Sequence, residues 1–299
     1  MSIYVRMRGG LGNQMFQFAF AYVLKETLDR NETIFMDIRG YKKYYRSFDL
    51  NDFCLISDCE NIKKGFVRYD FSFRLFNLTR GILKRVFKKS IHDVPSFLCK
   101  RGMIYSDVSC SLPSNINKKD LFLFGYFQNV DILSKYRLEL YDCFTLKNKS
   151  DLYRYYFSLL KKGNVVISVR ISENNKLEGL KYTNKDFYYK ALGCILKNNK
   201  INQIVIMSND LELIKKEKWF HECGVECLYI DGCTPAEQIE LMKHCDNYII
   251  SNSTFAWWGA YLGNSKNKGI IMAPEDWYGS SKLKNTKMMF EEITIVDDD

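Results

Sequence analysis

An α/β fold in two units, each built on a parallel sheet, is predicted from three features of this 299-residue sequence. Short β-branched runs alternate with amphipathic stretches throughout the second half, and the first half opens as strand, glycine loop, helix and strand. Polar residues, KNKSD and KKGN, lie between the halves near 145–163. Alternation at this pitch makes a parallel sheet with helices on both faces.

The elements follow in order. IYVRM is a strand, GGLGNQ a tight loop, MFQFAFAYVLKE an apolar helix, and TIFMD a strand ending in Asp37. From about 40 to 120 the chain is rich in Phe, Tyr and Lys and shows no assignable period; LFLFGYFQ (121–128) is again a strand. In the second half VVISV (165–169), QIVIM (203–207), VECLYI (225–230), NYIIS and GIIMA (269–273) are strands. Between them TNKDFYYKALGCILK, LELIKKEKWF, TPAEQIELMKHC and TFAWWGAYLG are helices. Thr234, Pro235 and Glu237 carry the start signals of a capping box. The expected domains are 1–150, with an irregular basic insertion at about 61–101, and 151–299, whose last residues pack back on the first.

Composition excludes several classes. A hydrophobic content of 46% with four prolines is that of packed cores, not disorder. The longest apolar stretch, Met15 to Leu24, falls short of the roughly 20 residues of a membrane span. The chain enters a strand at once, with no secretory ramp, so a cytoplasmic location is expected. Cysteines there are reduced, and His221, Cys223 and Cys227 lack the paired spacing of a zinc site, so no metal is expected. The net charge of +9 equals that of the window Lys63 to Arg101, with eleven bases against Asp70 and Asp93. In it Leu75, Phe76, Leu78, Ile82, Leu83, Val86 and Phe87 share one helical face, while Arg74, Arg80, Lys84, Arg85, Lys88 and Lys89 lie largely on the other. An ordinary surface helix has this pattern. So does a peripheral contact with the anionic inner face of a membrane. Nucleic acid is not expected, since no recognition module accompanies the charge.

Ligands of open parallel sheets bind beyond the strands' carboxyl ends. Those ends here carry Ser168-Val169-Arg170, Ser208-Asn209-Asp210, Asp231, Ser251-Asn252-Ser253-Thr254 and Pro274-Glu275-Asp276-Trp277, which together make a polar site. The glycine loop allows two readings. A dinucleotide loop needs a third glycine where Met15 stands, although Asp37 sits where a ribose-binding carboxylate would. Alternatively Gly10, Asn13 and Gln14 form a helix start whose amides bind sugar hydroxyls or phosphate; Asn13 could also simply cap the helix.

Six blocks in order resemble the family 11 glycosyltransferases, the α-1,2-fucosyltransferases: RGGLGNQMFQFAFA, FLFGYFQN, YTNKDFYYKAL, IVIMSNDLELIKK, IISNSTFAWWGAYLG and IIMAPEDWYG. The resemblance implies a GT-B fold, two facing Rossmann-like domains with a cleft between them. It implies inverting, metal-independent transfer of fucose from GDP-fucose to the 2-hydroxyl of a terminal galactose, on an oligosaccharide or a lipid-linked glycan, without a cofactor. The family's arginine motif, His-x-Arg-Arg-x-Asp, stands here as Ser168-Val169-Arg170-Ile171-Ser172-Glu173. One arginine and a carboxylate are kept; the histidine and second arginine are not. Such a transfer needs a cation on the departing diphosphate, a base for the acceptor hydroxyl, and an aligned acceptor. Arg170 is assigned the first role and Glu173 the second. Ser168, Ser208, Asn209, Asp210, Asn252, Ser253 and Thr254 are assigned to the donor; Gly10, Asn13, Gln14 and Trp277 to the acceptor or sugar. Trp257 and Trp258 read as helix core. The altered motif leaves open a catalytically silent sugar-nucleotide or glycan binder, a transferase of another GDP-sugar, and, from the glycine loop, a nicotinamide oxidoreductase.

Overall fold

The computed structural model describes residues 2–28, 32–56, 58–67, 69–86, 101–106, 120–171, 183–216, 223–275, 277 and 288–296. The chain divides into two units, Met1–Phe48 with Leu55–Tyr136, and Asp49–Cys54 with Arg137–Asp299.

The first unit contains β1 (Ile3–Arg6), α1 (Leu11–Thr27), β2 (Ile34–Asp37), β3 (Cys59–Ile62), α2 (Asp70–Val86), β4 (Met103–Ser106), β5 (Leu121–Gly125) and the single turn α3 (Val130–Leu133). Its strands, in the order β3-β2-β1-β5-β4, are all parallel. Helix α1 is apolar on nearly every face and is buried accordingly from Leu11 to Lys25, apart from Asn13. Strand β5 stops at Gly125, shorter than the expected 121–128. There φ is +147°, and an added Cβ would lie 1.8 Å from the Ser106 carbonyl oxygen, so only glycine fits.

At the end of β2, Asp37 is 2% exposed and accepts hydrogen bonds from Arg39 Nε (2.7 Å), Arg39 Nη2 (2.8 Å), the Arg39 amide (3.1 Å) and the Tyr69 hydroxyl. The same guanidinium reaches both oxygens of Asp70, at 2.7 and 2.8 Å, and the Gly65 carbonyl at 2.7 Å. This network fastens β2 to the start of α2. It also engages the carboxylate that a ribose would have needed, which removes the structural basis for the nicotinamide reading.

The segment expected as an irregular insertion holds the end of β3 and the helix α2, with 87–100 outside the described residues. The expected apolar face of α2 is divided. Phe76 is buried with Met103, Tyr105 and Phe124, and Phe73 and Leu75 pack partly against them. Leu78 and Ile82 point to solvent, because the sheet meets the helix along the line through Phe73 and Phe76 instead.

The second unit contains α4 (Arg137–Cys143), α5 (Asp151–Leu159), β6 (Asn164–Val169), α6 (Lys185–Asn198), β7 (Gln203–Ser208), α7 (Leu211–Lys215), β8 (Cys227–Tyr229), α8 (Pro235–Met242), β9 (Asn247–Ile250), α9 (Thr254–Asn267), β10 (Ile271–Pro274) and β11 (Ile293–Val296). All six strands are parallel, in the order β11-β10-β9-β6-β7-β8. The capping box of α8 is present, with the Glu237 amide on Thr234 Oγ1 at 3.2 Å and the Thr234 amide on Glu237 Oε2 at 3.0 Å. Trp257 and Trp258 are fully buried, Trp257 donating from Nε1 to the Met288 carbonyl at 2.6 Å.

Four expectations about the second unit differ from this arrangement. The chain passes between units at Tyr136/Arg137, against the expected 150/151. Within the polar stretch near 145–163, the Ser150 hydroxyl accepts from the Tyr153 amide at 3.0 Å and starts α5. Residues 49–54 belong to the second unit, where Phe53 bridges Leu146 antiparallel and the Cys54 amide donates to the Thr145 carbonyl at 2.8 Å. The C-terminal segment, expected to pack back on the first unit, pairs with β10 as the edge strand β11; ITIV is β-branched and suited to that edge. Both units are Rossmann-like, as the expected GT-B class requires. Among the described residues no helix is long and apolar enough to cross a membrane.

Asp37→Ala should lower the stability of the protein by about 3 kcal/mol, since it strips a buried ion pair of one partner; urea melts measure this. Burial alone would raise the Asp37 carboxyl, but hydrogen bonds from Arg39 and Tyr69 outweigh it and hold it below its ordinary value of 3.8. Its contribution is therefore complete above that pH and is lost as pH falls through the lower folded value. The gap between wild type and variant should close in acid.

Candidate active site

The strand order of the second unit fixes where its ligand site can be. From β6 the chain moves outward through β7 to β8, then returns to β9 on the other side and moves outward again. The connections leaving β6 and β9 diverge at their carboxyl ends and open a crevice there. Register Ser168↔Ile250 sets these ends side by side, and the Ser251 amide still reaches the Ser168 carbonyl at 3.3 Å. Arg170, half-buried, follows directly after β6. Asn252, Ser253 and Thr254 follow β9 and lead into α9. The Ser253 hydroxyl makes no cap bond to this 14-residue helix, whose amino end attracts anions through its amides and dipole. Beneath the crevice lies Tyr188 of α6, its phenol raised by burial and neighboured by the Arg170 backbone and the side chains of Ser251 and Thr183.

Other expected donor residues serve the loops around this crevice. Asn209 grips the chain just after Arg170: its Oδ1 accepts from the Ile171 amide at 2.8 Å and its Nδ2 donates to the Ile171 carbonyl at 2.6 Å. The Ser208 hydroxyl accepts from the Asp210 amide at 3.1 Å, and Asp210 caps α7 through the Leu213 amide at 3.1 Å. Ser168 is buried in the strand. The Asn252 amide group meets Thr183 Oγ1 at 3.3 Å and donates to the Trp277 carbonyl at 3.4 Å. Trp277, expected on the sugar side, is 5% exposed. Glu173, the expected base, lies outside the described residues.

The glycine loop occupies the corresponding place in the first unit, where β1 and β5 are neighbours. Gly9 has φ +84° and Gly10 is the N-cap of α1. Gln14, expected on the acceptor side, is fully buried and donates to the carbonyls of Gly9 (3.1 Å) and Ser47 (2.9 Å). Gln17 works alongside it, accepting from the Arg8 amide at 3.0 Å and donating to the carbonyls of Arg8 (3.1 Å) and Gly125 (3.0 Å). Their amides hold the loop backbone, and the Tyr41 hydroxyl also donates to the Gly9 carbonyl at 2.8 Å. Asn13 is half-exposed and accepts from Gln128 Nε2 at 2.9 Å. Around it stand groups that the sequence reading did not single out. Arg8 lies over the Tyr126 ring at 4.6 Å, Arg46 over Tyr45 at 5.2 Å, and Tyr44 against Tyr45 at 4.7 Å. Their signal was the RGG and YYR context, which could have drawn attention to them.

Comparison with known proteins decides the class of chemistry. A family model described as glycosyl transferase family 11 matches residues 2–294. The chain belongs to that family. Two relatives extend over nearly all of it: an α-1,2-colitosyltransferase of Escherichia coli, 29% identical over 302 residues and covering 95% of this chain and 96% of that one, and the Escherichia coli O-antigen biosynthesis glycosyltransferase WbnK, 27% identical over 315 residues, 95% of this chain and 98% of that one. Among solved structures, the α-1,6-fucosyltransferase NodZ from a crystal soaked with GDP-fucose superposes with a TM-score of 0.50 at 11% identity, over 87% of this chain and 92% of that one. That likeness concerns the fold. As a family 11 member the protein is a glycosyltransferase.

Asn209→Ala should release the Ile171 backbone. Hydrogen exchange at the Ile171 amide is expected to accelerate by about fivefold, the equivalent of one hydrogen bond of about 1 kcal/mol, with the β6 amides unchanged.

Proposed function

We propose that this glycosyltransferase transfers fucose from GDP-fucose, with inversion and without a metal, to the 2-hydroxyl of a terminal galactose on a glycan. The observation that carries the reading is the adjacency of Arg170 and the 252–254 turn at the diverging ends of β6 and β9. A guanidinium and an amide-rich helix start on neighbouring strands suit a pyrophosphate, the one by its planar fork and the other by its dipole.

In this mechanism the acceptor oxygen attacks the anomeric carbon from the face opposite the diphosphate. The new C–O bond forms as the bond to phosphate breaks, and the anomeric configuration inverts. Arg170 and the first turn of α9 take up the charge growing on GDP. The acceptor proton passes to a carboxylate, for which Glu173 is the candidate. On the first unit Asn13 and the neighbouring tyrosines and arginines offer hydrogen bonds and aromatic faces to a sugar.

A second donor is favoured by one relative. The α-1,2-colitosyltransferase covers 95% of this chain, and colitose is the 3-deoxy counterpart of fucose. A donor panel of GDP-sugars, each with β-galactosides and measured by released GDP, separates the two; GDP release from neither would leave the silent-binder reading.

Arg170→Ala is expected to cut turnover about 10²–10³-fold at unchanged melting temperature, and Arg170→Lys to recover part of it. Near-normal activity in the alanine variant would remove the proposed mechanism. Glu173→Gln is expected to slow turnover by about 10²–10⁴-fold with GDP affinity retained; an unaltered rate places the base elsewhere.

A further inference from the structure

Helix α2 has two apolar lines, and the core accounts for only one. Phe73 and Phe76 face the sheet. Phe71, Leu78 and Ile82 are 61%, 61% and 49% exposed. At ~100° per residue these three fall within about 40° of one another, on the side of the helix turned from the sheet. Phe66, in the loop before the helix, is 73% exposed as well. Exposed apolar side chains are ordinary when scattered, but a row of them along one helix is not.

Among the described residues of this loop and helix, the exposed charges are all basic. Lys63, Lys64, Arg74 and Arg85 are all exposed and stand beside it in the loop and on the helix. The acid of the segment, Asp70, is held by Arg39, whose hydrogen bonds keep its carboxyl below the usual range. Arg80 is turned toward the core, over the Tyr105 ring at 5.2 Å, and does not break the row.

We infer that this face of α2, with the preceding loop, is a docking surface for an anionic phospholipid bilayer. The helix lies flat, with Phe66, Phe71, Leu78 and Ile82 entering the acyl boundary and the lysines and arginines at the phosphates. Apolar insertion and basic attraction act together in this mode, and neither alone gives firm binding. The inference stands apart from the donor site, since all of its residues lie in the first unit and none contributes to the β6/β9 crevice.

The test is flotation of the full chain with vesicles of mixed phosphatidylglycerol and phosphatidylcholine, and with phosphatidylcholine alone. Wild type should float with the anionic vesicles only, and high salt should weaken the association. Leu78→Glu combined with Ile82→Glu should reduce partitioning by about tenfold or more, and Arg74→Glu combined with Arg85→Glu likewise. Both pairs are solvent-facing, so melting temperatures should match wild type. Failure to bind anionic vesicles, or equal binding by the Leu78/Ile82 variant, overturns the inference. So does a concentration-dependent dimer, abolished by the same variant, in a protein that ignores vesicles; the row would then be covered by a second copy of the chain.

Discussion

The divergence of the chain at β6 and β9 is the constraint from which the candidate site follows. Parallel strands cannot be joined by a tight turn, so each crossover needs a helix packed on one face. When successive crossovers reverse direction, the helices on either side of the reversal pack on opposite faces and leave the strand ends between them open. No side chain is needed to make the opening. The sequence then has only to supply the right groups at two neighbouring ends, and it supplies Arg170 at one and an uncapped helix start at the other.

The first unit solves a different problem with amides. A glycine loop buried against a helix start exposes carbonyls that no strand or helix satisfies. Gln14 and Gln17 meet them from within the helix. The polarity that suggests ligand recognition in the sequence is therefore largely structural, and the loop owes its shape to it. What it presents outward is Asn13 and a rim of tyrosine rings and arginine guanidinium groups.

Much of the second sheet was legible because its central strands are β-branched and buried on both faces, and because Thr234, Pro235 and Glu237 mark a helix start without ambiguity. The short strands β3, β4 and β11 were not. Their CENI, MIYS and ITIV runs lie outside the clear strand–helix alternation, and pairing with a neighbour defines them. Helix α5 was hidden by the lysines and asparagines before it, although Ser150 was a sound cap. At the site, sequence could place Arg170 and the 252–254 turn on strand ends, since position along a strand is readable. It could not tell where amide side chains aim. Asn209 and Gln14, expected on ligands, make hydrogen bonds to backbone, and Trp277 is buried. Direction depends on which carbonyls the fold leaves unsatisfied, which only the assembled backbone reveals.

The strap formed by residues 49–54 has a consequence for biogenesis. Lys147 reaches back to the Asn51 carbonyl across a separation of 96 residues, so the second unit lacks a piece of itself until the ribosome has delivered both. During synthesis this hexapeptide must wait while β3, β4 and β5 of the first sheet emerge. Contacts of such high sequence separation form late and slowly, so the second unit closes only after residues 137 onward have followed the hexapeptide, and a cut at Tyr136/Arg137 would part that unit from residues 49–54.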